Sequence, residues 1–307
     1  MTRRDFCMTV AAARLLRAAS GLEPSRISAI GDEIGHTPRE VEAFAKEYGF
    51  NAIEMRASLG TSTFQYYEMM PPQELRKTAA QMADAGLTPT VLDSSLLKYE
   101  FPGSKAVTRE DFYDKYFAKL GLSQEQLFEK RMDQLNRFLD AAHALGVHKI
   151  RIFSFWRVAD PASIAPKVAE ILHEMADVAG KSGVQLLVEN EGSTNVATSG
   201  ETAEMMRRVP SKALGINWDP RNGMSLEKVP YPDGYAVLPK DRIGNVHMKG
   251  RDLIPTYTGR LDWGTIMRVM VRDGYQGKFS LETHRGQANI AASRTSMQEI
   301  MRFVRES

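Results

Sequence analysis

Cysteine is almost missing from this chain. Cys7 stands alone among 307 residues, so no disulfide closes within it and no thiolate cluster can hold a metal. Any bound metal must be held by oxygen and nitrogen. An excess of either charge is lacking too: 40 Lys and Arg stand against 38 Asp and Glu, and a net charge of +2 gives no reason to expect nucleic acid as a partner. No run approaches the roughly 18 apolar residues of a membrane span, so a soluble protein without a membrane partner is expected. The glycine-rich turn of dinucleotide-binding folds is absent as well. After Ile30 the chain reads Gly31-Asp32-Glu33-Ile34-Gly35, without the required spacing.

What is present is ordinary globular composition, 43% hydrophobic and 25% charged, with length enough for one large core. Residues 1–25 read as an N-terminal extension. Thr2-Arg3-Arg4-Asp5-Phe6 looks like a twin-arginine motif followed by the apolar Met8–Ala13, but Arg14 and Arg17 interrupt the apolar stretch early. A cytoplasmic location is expected, with periplasmic export by the twin-arginine route as the alternative.

From residue 26 onward one punctuation recurs: a helix-like segment, a glycine, then a strand-like run. It occurs in EYGFNAIEM, DAGLTPTVLD, ALGVHKIRIF, KSGVQLLVEN and RDGYQGKFSLE, with Gly49, Gly86, Gly146, Gly183 and Gly274 at the helix ends. A glycine just past a helix accepts positive φ without steric cost. Helix starts agree, since Thr37-Pro38-Arg39-Glu40 and Ser123-Gln124-Glu125-Gln126 carry capping-box patterns. Leu127, Arg131, Leu135, Phe138, Leu139 and Ala142 then place a core-facing stripe at helical spacing.

Strands are predicted at 27–31, 52–56, 89–94, 149–154, 185–190, 213–219, 244–249 and 278–284. Their apolar character is nearly continuous, as in parallel strands covered on both faces. Eight β/α units over residues 26–307 predict a single (β/α)8 TIM barrel of the α/β class. Two connections exceed simple turns, Leu96 to Leu122 and Asn222 to Arg242. Such segments at a barrel's C-terminal rim build substrate walls, or contacts in a homo-oligomer.

Four of the last strands end on chemistry. Glu189 closes QLLVEN, Asp219 closes ALGINWD, His247 lies in GNVHMK and Glu282 in KFSLETH, each about one β/α unit of roughly 30 residues from the next. A lone strand-end carboxylate can cap a helix, and a lone His is usually a satisfied half-buried residue; four successive strands ending this way point elsewhere. Barrel geometry brings strand ends to one rim, where three carboxylates and an imidazole suit one divalent ion: Mn²⁺, Mg²⁺ or Co²⁺, with Zn²⁺ possible. Such an ion polarises a carbonyl, and carboxylates beside it can move protons.

The runs LLVENEG, NWDPRN, NVHMKGRD and RLDWGTIMRVMVRDGYQGKFSLETH resemble the sugar phosphate isomerase/epimerase superfamily, the xylose isomerase-like TIM barrels. The resemblance extends from about Ile27 to Phe303, specific at the last four strands and topological before them. It implies that Glu189, Asp219, His247 and Glu282 are metal ligands, and that Glu189 and Glu282 are also the acid/base pair acting through a cis-enediolate. Asn222 occupies a place where epimerases often carry a substrate-contacting His, which departs from the ketose 3-epimerase pattern. Arg251 is implied as a contact for substrate hydroxyls or a carboxylate.

Further substrate candidates are Glu54 and Trp156, the latter either as an apolar face for a sugar ring or as a buried wall residue, with Glu33, His284 and Arg285 near the mouth. Lys249 and Asp252 are expected to pair, Asn190 to support a strand-end loop, and Trp263 to anchor a helix. The expected activity is metal-dependent isomerisation or epimerisation of a small carbohydrate or hydroxy-carbonyl compound. The alternatives are a sugar or inosose-type dehydratase or lyase using the same site, and a non-catalytic sugar-binding barrel.

Overall fold

Eight short parallel strands carry the chain around a closed ring: β1 (Ile27–Ile30), β2 (Ala52–Met55), β3 (Thr88–Asp93), β4 (Lys149–Ile152), β5 (Gln185–Glu189), β6 (Leu214–Trp218), β7 (Ile243–Lys249) and β8 (Phe279–Glu282). Each pairs with the next, and β8 closes on β1 through Ile27–Phe279, Ser28–Ser280 and Ala29–Leu281. This is the expected (β/α)8 barrel. The computed structural model describes residues 22–59, 65–119, 121–284 and 289–307. The twin-arginine-like segment and Arg285 lie outside the described residues. No helix among the described residues is long and apolar enough to cross a membrane.

The glycines read as helix terminators all carry positive φ. Gly49 and Gly146 show why: each adopts a left-handed cap, at φ 77° and 70°, and its N–H closes on carbonyls of the helix before it. Any side chain would be strained there. Both predicted capping boxes form, Thr37 with Glu40 and Ser123 with Gln126, and a third forms at Thr198 with Glu201. The stripe from Leu127 to Ala142 is buried at Leu127, Leu135, Phe138, Leu139 and Ala142, but it is split between two helices, Gln124–Glu129 and Arg131–Leu145. The break is at Lys130, and Arg131 turns outward to meet Glu174 at 2.9 Å.

The long connection after β3 does not stand free. Its backbone bonds to the turn after β4, Phe155 N–H to Leu97 O and Trp156 N–H to Tyr99 O, while Ala106 bridges Val158 and Trp156 bridges Thr194. Leu97 and Phe155 both have φ of 63°, an uncommon conformation for large side chains. Three successive rim loops are thereby tied into one wall.

Candidate metal centre

Strand periodicity decides which side chains enter the barrel. Side chains two apart share a face, so β7 sends Asn245, His247 and Lys249 inward as one column. β6 contributes Asn217 and, just past its end, Asp219; Glu54, Asp93, Arg151, Glu189 and Glu282 come from β2, β3, β4, β5 and β8. All are buried, none more than 5% exposed. A barrel interior is ordinarily filled by branched apolar residues; here much of it is polar and charged.

Glu189, Asp219, His247 and Glu282 each present one ligand atom, and these atoms lie within 4.8 Å of one another. Donors facing each other across a small hard cation stand about 4.2 Å apart, so the cluster matches the size of a coordination sphere. Individual atoms fit as well. Asp219 Oδ1 accepts the N–H groups of Arg221 and Asn222 at 2.9 and 3.0 Å, whereas buried Oδ2 accepts no hydrogen bond. His247 Nε2 lies 2.8 Å from Glu54 Oε2, while Nδ1 makes no hydrogen bond, although Glu282 Oε2 is 3.0 Å away. A Glu54 carboxylate holding the proton on Nε2 leaves the Nδ1 lone pair as the metal donor. The donor set, oxygen-rich with one imidazole, thus fits a divalent ion. Asn190 clips the strand ends together, donating to Asp219 O at 2.7 Å and accepting from Asp219 N–H at 2.8 Å.

Charge partners set the protonation of the cluster. Burial alone pushes the Glu189 carboxyl up, but Arg151 and His247 outweigh it and hold it below its ordinary value. Glu282 behaves likewise, with Lys249 and His247 overcoming burial. Asp219 goes the other way: burial pushes it up to about 6 against the pull of Lys249. His247 would be lowered by burial, yet Glu54 and Glu189 raise it well above the usual imidazole range.

Above the cluster opens a cavity of about 530 Å³ whose lining includes Glu189, Glu282 and Asn222. Glu33, Arg56 and His284 also line it, as do Lys98, Glu110, Arg151 and Glu191, and Tyr66, Phe112 and Tyr113 add aromatic surface. A groove of about 690 Å³ between helices Pro38–Tyr48 and Pro72–Asp84 is larger but carries none of the strand-end ligands.

The expected substrate contacts are scattered. Asn222 lines the cavity and donates from Nδ2 to Glu189 Oε1 at 2.9 Å. Glu54 lies beneath His247 rather than at the cavity. Trp156 is fully buried behind Lys98, whose ammonium is 5.9 Å from its ring. Arg251 is exposed on the turn Gly250–Leu253, stacked on Tyr257 and bonded to its hydroxyl at 2.7 Å. The expected Lys249–Asp252 pair does not form: Asp252 takes Arg221, and Lys249 turns inward to Glu282. Trp263 is buried at the start of helix Trp263–Arg272, as expected.

Several residues at the site were not singled out from sequence. Arg151 Nη1 lies 2.7 Å from Glu189 Oε2, and its Nε is 3.5 Å from Asp93 Oδ1. Lys98 is buried between Glu110, at 2.9 Å, and Glu191, at 3.8 Å, with the faces of Phe153 and Tyr113 beside it. The available signal was weak: an Arg in the apolar run KIRIF, and a Lys ahead of YEF.

Residues 43–307 match the family model described as the xylose isomerase-like TIM barrel. No curated protein matches by sequence. Among solved structures, 3-keto-D-glucoside 4-epimerase YcjR from E. coli is similar at 16% identity and a TM-score of 0.64, over 90% of this chain and 98% of that one. A xylose isomerase-like protein from Mycobacterium smegmatis in complex with magnesium matches at 16% identity and 0.63, over 94% and 98%. The probable 3-DHS dehydratase AsbF from Bacillus anthracis matches at 16% and 0.61, over 90% and 97%. At these identities the likeness is one of fold.

Proposed function

Because the chain belongs to the xylose isomerase-like TIM barrel family, we propose that it is a divalent-metal-dependent isomerase or epimerase of a small carbohydrate or hydroxy-carbonyl compound. The observation that carries this reading is the convergence of four ligand atoms within 4.8 Å beneath a polar cavity lined by two of the same carboxylates. A divalent ion bound there would polarise a substrate carbonyl and acidify the neighbouring C–H. Oxygen-rich coordination favours Mg²⁺, Mn²⁺ or Co²⁺, in keeping with the magnesium of the mycobacterial neighbour.

The two acid/base candidates are held differently, which divides their work. Both oxygens of Glu189 are engaged, Oε2 by Arg151 and Oε1 by Asn222. Glu282 is held at Oε2 by Lys249, and no hydrogen bond among the described residues engages Oε1. Glu282 therefore takes the proton from the substrate carbon, and Glu189, once it has picked up a proton from solvent, returns one on the other face. Asn222 and Arg151 orient Glu189; the aromatic wall of Tyr66, Phe112 and Tyr113 covers the apolar side of a bound sugar and limits water.

The test is hydrogen exchange. Chelator-treated protein reloaded with Mn²⁺ and given a panel of keto-sugars in heavy water should exchange the hydrogen next to the carbonyl and yield the epimer or isomer. An unsaturated or deoxy product would move the reaction to elimination. Ligand binding without exchange for any compound would leave a binding protein.

A further inference from the structure

Lys249 pairs directly with two of the four ligand residues. Its Nζ is 2.6 Å from Glu282 Oε2 and 3.2 Å from Asp219 Oδ2, and the residue is 5% exposed. It reaches this place because it shares the inward face of β7 with His247, one pleat nearer the rim. Two of the four residues that would ligate an ion thus already face a cation supplied by the chain. A third ligand, Glu189, faces another in Arg151.

The electrostatics have two sides. Three carboxylates and a neutral imidazole around a divalent ion leave one negative charge in excess, and the ammonium cancels it. Without an ion, buried carboxylates this close repel one another, and an ammonium between two of them removes that repulsion. With an ion bound, the same ammonium is a like charge within a few ångströms, in a setting where screening by water is weak. We propose that Lys249 is a built-in competitor for the metal: it holds Asp219 and Glu282 together when no ion is bound and weakens ion binding, so that the metal is exchangeable rather than permanent. This rests on reading Glu189, Asp219, His247 and Glu282 as the ligand set.

The experiment is calorimetric titration of the chelator-treated full chain with MnCl2, for wild type, Lys249→Met and Lys249→Gln, with melting curves in the presence and absence of the ion. Both neutral variants should bind Mn²⁺ at least about tenfold more tightly, the scale expected for removing one nearby unit charge. They should also melt lower than wild type without the ion and gain more on adding it. A variant that is unfolded alone but folded by Mn²⁺ supports the proposal for the same reason. Equal or weaker Mn²⁺ binding in the neutral variants overturns it, because Lys249 would then be aligning the ligands. Loss of folding with and without Mn²⁺ also overturns it, by making Lys249 a packing residue. Wild type that takes up no Mn²⁺, Mg²⁺ or Co²⁺ removes the ligand set itself and this proposal with it, a failure read from wild type alone.

Discussion

Glu282 reaches the cavity with one oxygen held by Lys249 and the other without a hydrogen bond among the described residues, and that asymmetry makes a sharp prediction. At saturating Mn²⁺, Glu282→Gln should lower kcat by about 10²–10⁴-fold, the usual contribution of a positioned acid/base group, and abolish exchange at the substrate carbon. Exchange at the wild-type rate would take Glu282 out of the proton path. A second residue-scale effect lies away from the site. Burial pushes the Glu68 carboxyl up to about 8, and its Oε2 has no hydrogen-bond partner. In the unfolded chain the group ionises near 4.5, so the folded state holds its proton longer. Stability is fully present below pH 4.5 and falls as pH rises toward 8, by up to about 1.4 kcal/mol per pH unit. Glu68→Gln should flatten the fall in unfolding free energy between pH 5 and 8; an unchanged slope would mean that Glu68 ionises freely in the folded protein. The four clustered residues were legible because each lies at or near the end of a strand and barrel topology sends strand ends to one rim. Arg151 and Lys249 were not, since a buried cation makes sense only once its carboxylate partners from neighbouring strands are known. For Trp156 the sequence could not choose between a sugar-packing face and a buried wall residue, because nothing near KIRIFSF says that Lys98 and Tyr113 of the preceding loop cover the indole.

At the scale of elements, the rim depends on one side chain. Asn195 Nδ2 donates to Ser154 O and Trp156 O, both at 2.9 Å, and Oδ1 accepts the Val158 N–H at 3.0 Å. These bonds hold the turn after β4, where Phe155 is left-handed, against the loop after β5. Arg157 adds an ion pair to Glu201 at 2.7 Å, which in turn caps the helix Ser199–Arg208 through Thr198. Asn195→Ala leaves buried carbonyls and an N–H without partners and should cost about 1–3 kcal/mol in urea unfolding. It should also raise KM more than it changes kcat, because Lys98 and Tyr113 line the cavity from the loop packed on that turn. A variant with wild-type stability would show that the wall is held elsewhere. The helices and strands flanking this wall were readable from glycine punctuation and capping boxes, which are local signals. The wall itself was not, because its bonds join loops after three different strands. The break at Lys130 escaped for a different reason: a stripe at helical spacing continues across two helices when the turn between them is a single residue.

At the scale of the molecule, the barrel departs from a dry apolar cylinder. Ser28 Oγ, both Asp93 oxygens, Asn217 Nδ2 and Asn245 Oδ1 are buried without hydrogen-bond partners, directly under the ligand cluster. A core of this kind is costly unless its charges are satisfied together. The cost is met by basic side chains set among the carboxylates: Arg151 between Asp93 and Glu189, His247 between Glu54 and Glu282, Lys249 between Glu282 and Asp219. An ion bound at the rim would join that network, and its binding energy would become folding energy. At a hundred times its Kd, Mn²⁺ should add about 2.7 kcal/mol of stability, which for a chain of this length raises Tm by roughly 5 °C at about 2 °C per kcal/mol. Chelation should reverse the rise. Asp219→Asn removes the charge from a ligand whose other oxygen holds two backbone N–H groups, so the rise should disappear while the fold persists. A rise of equal size in Asp219→Asn would place the stabilising ion at another site and detach the strand-end cluster from metal binding.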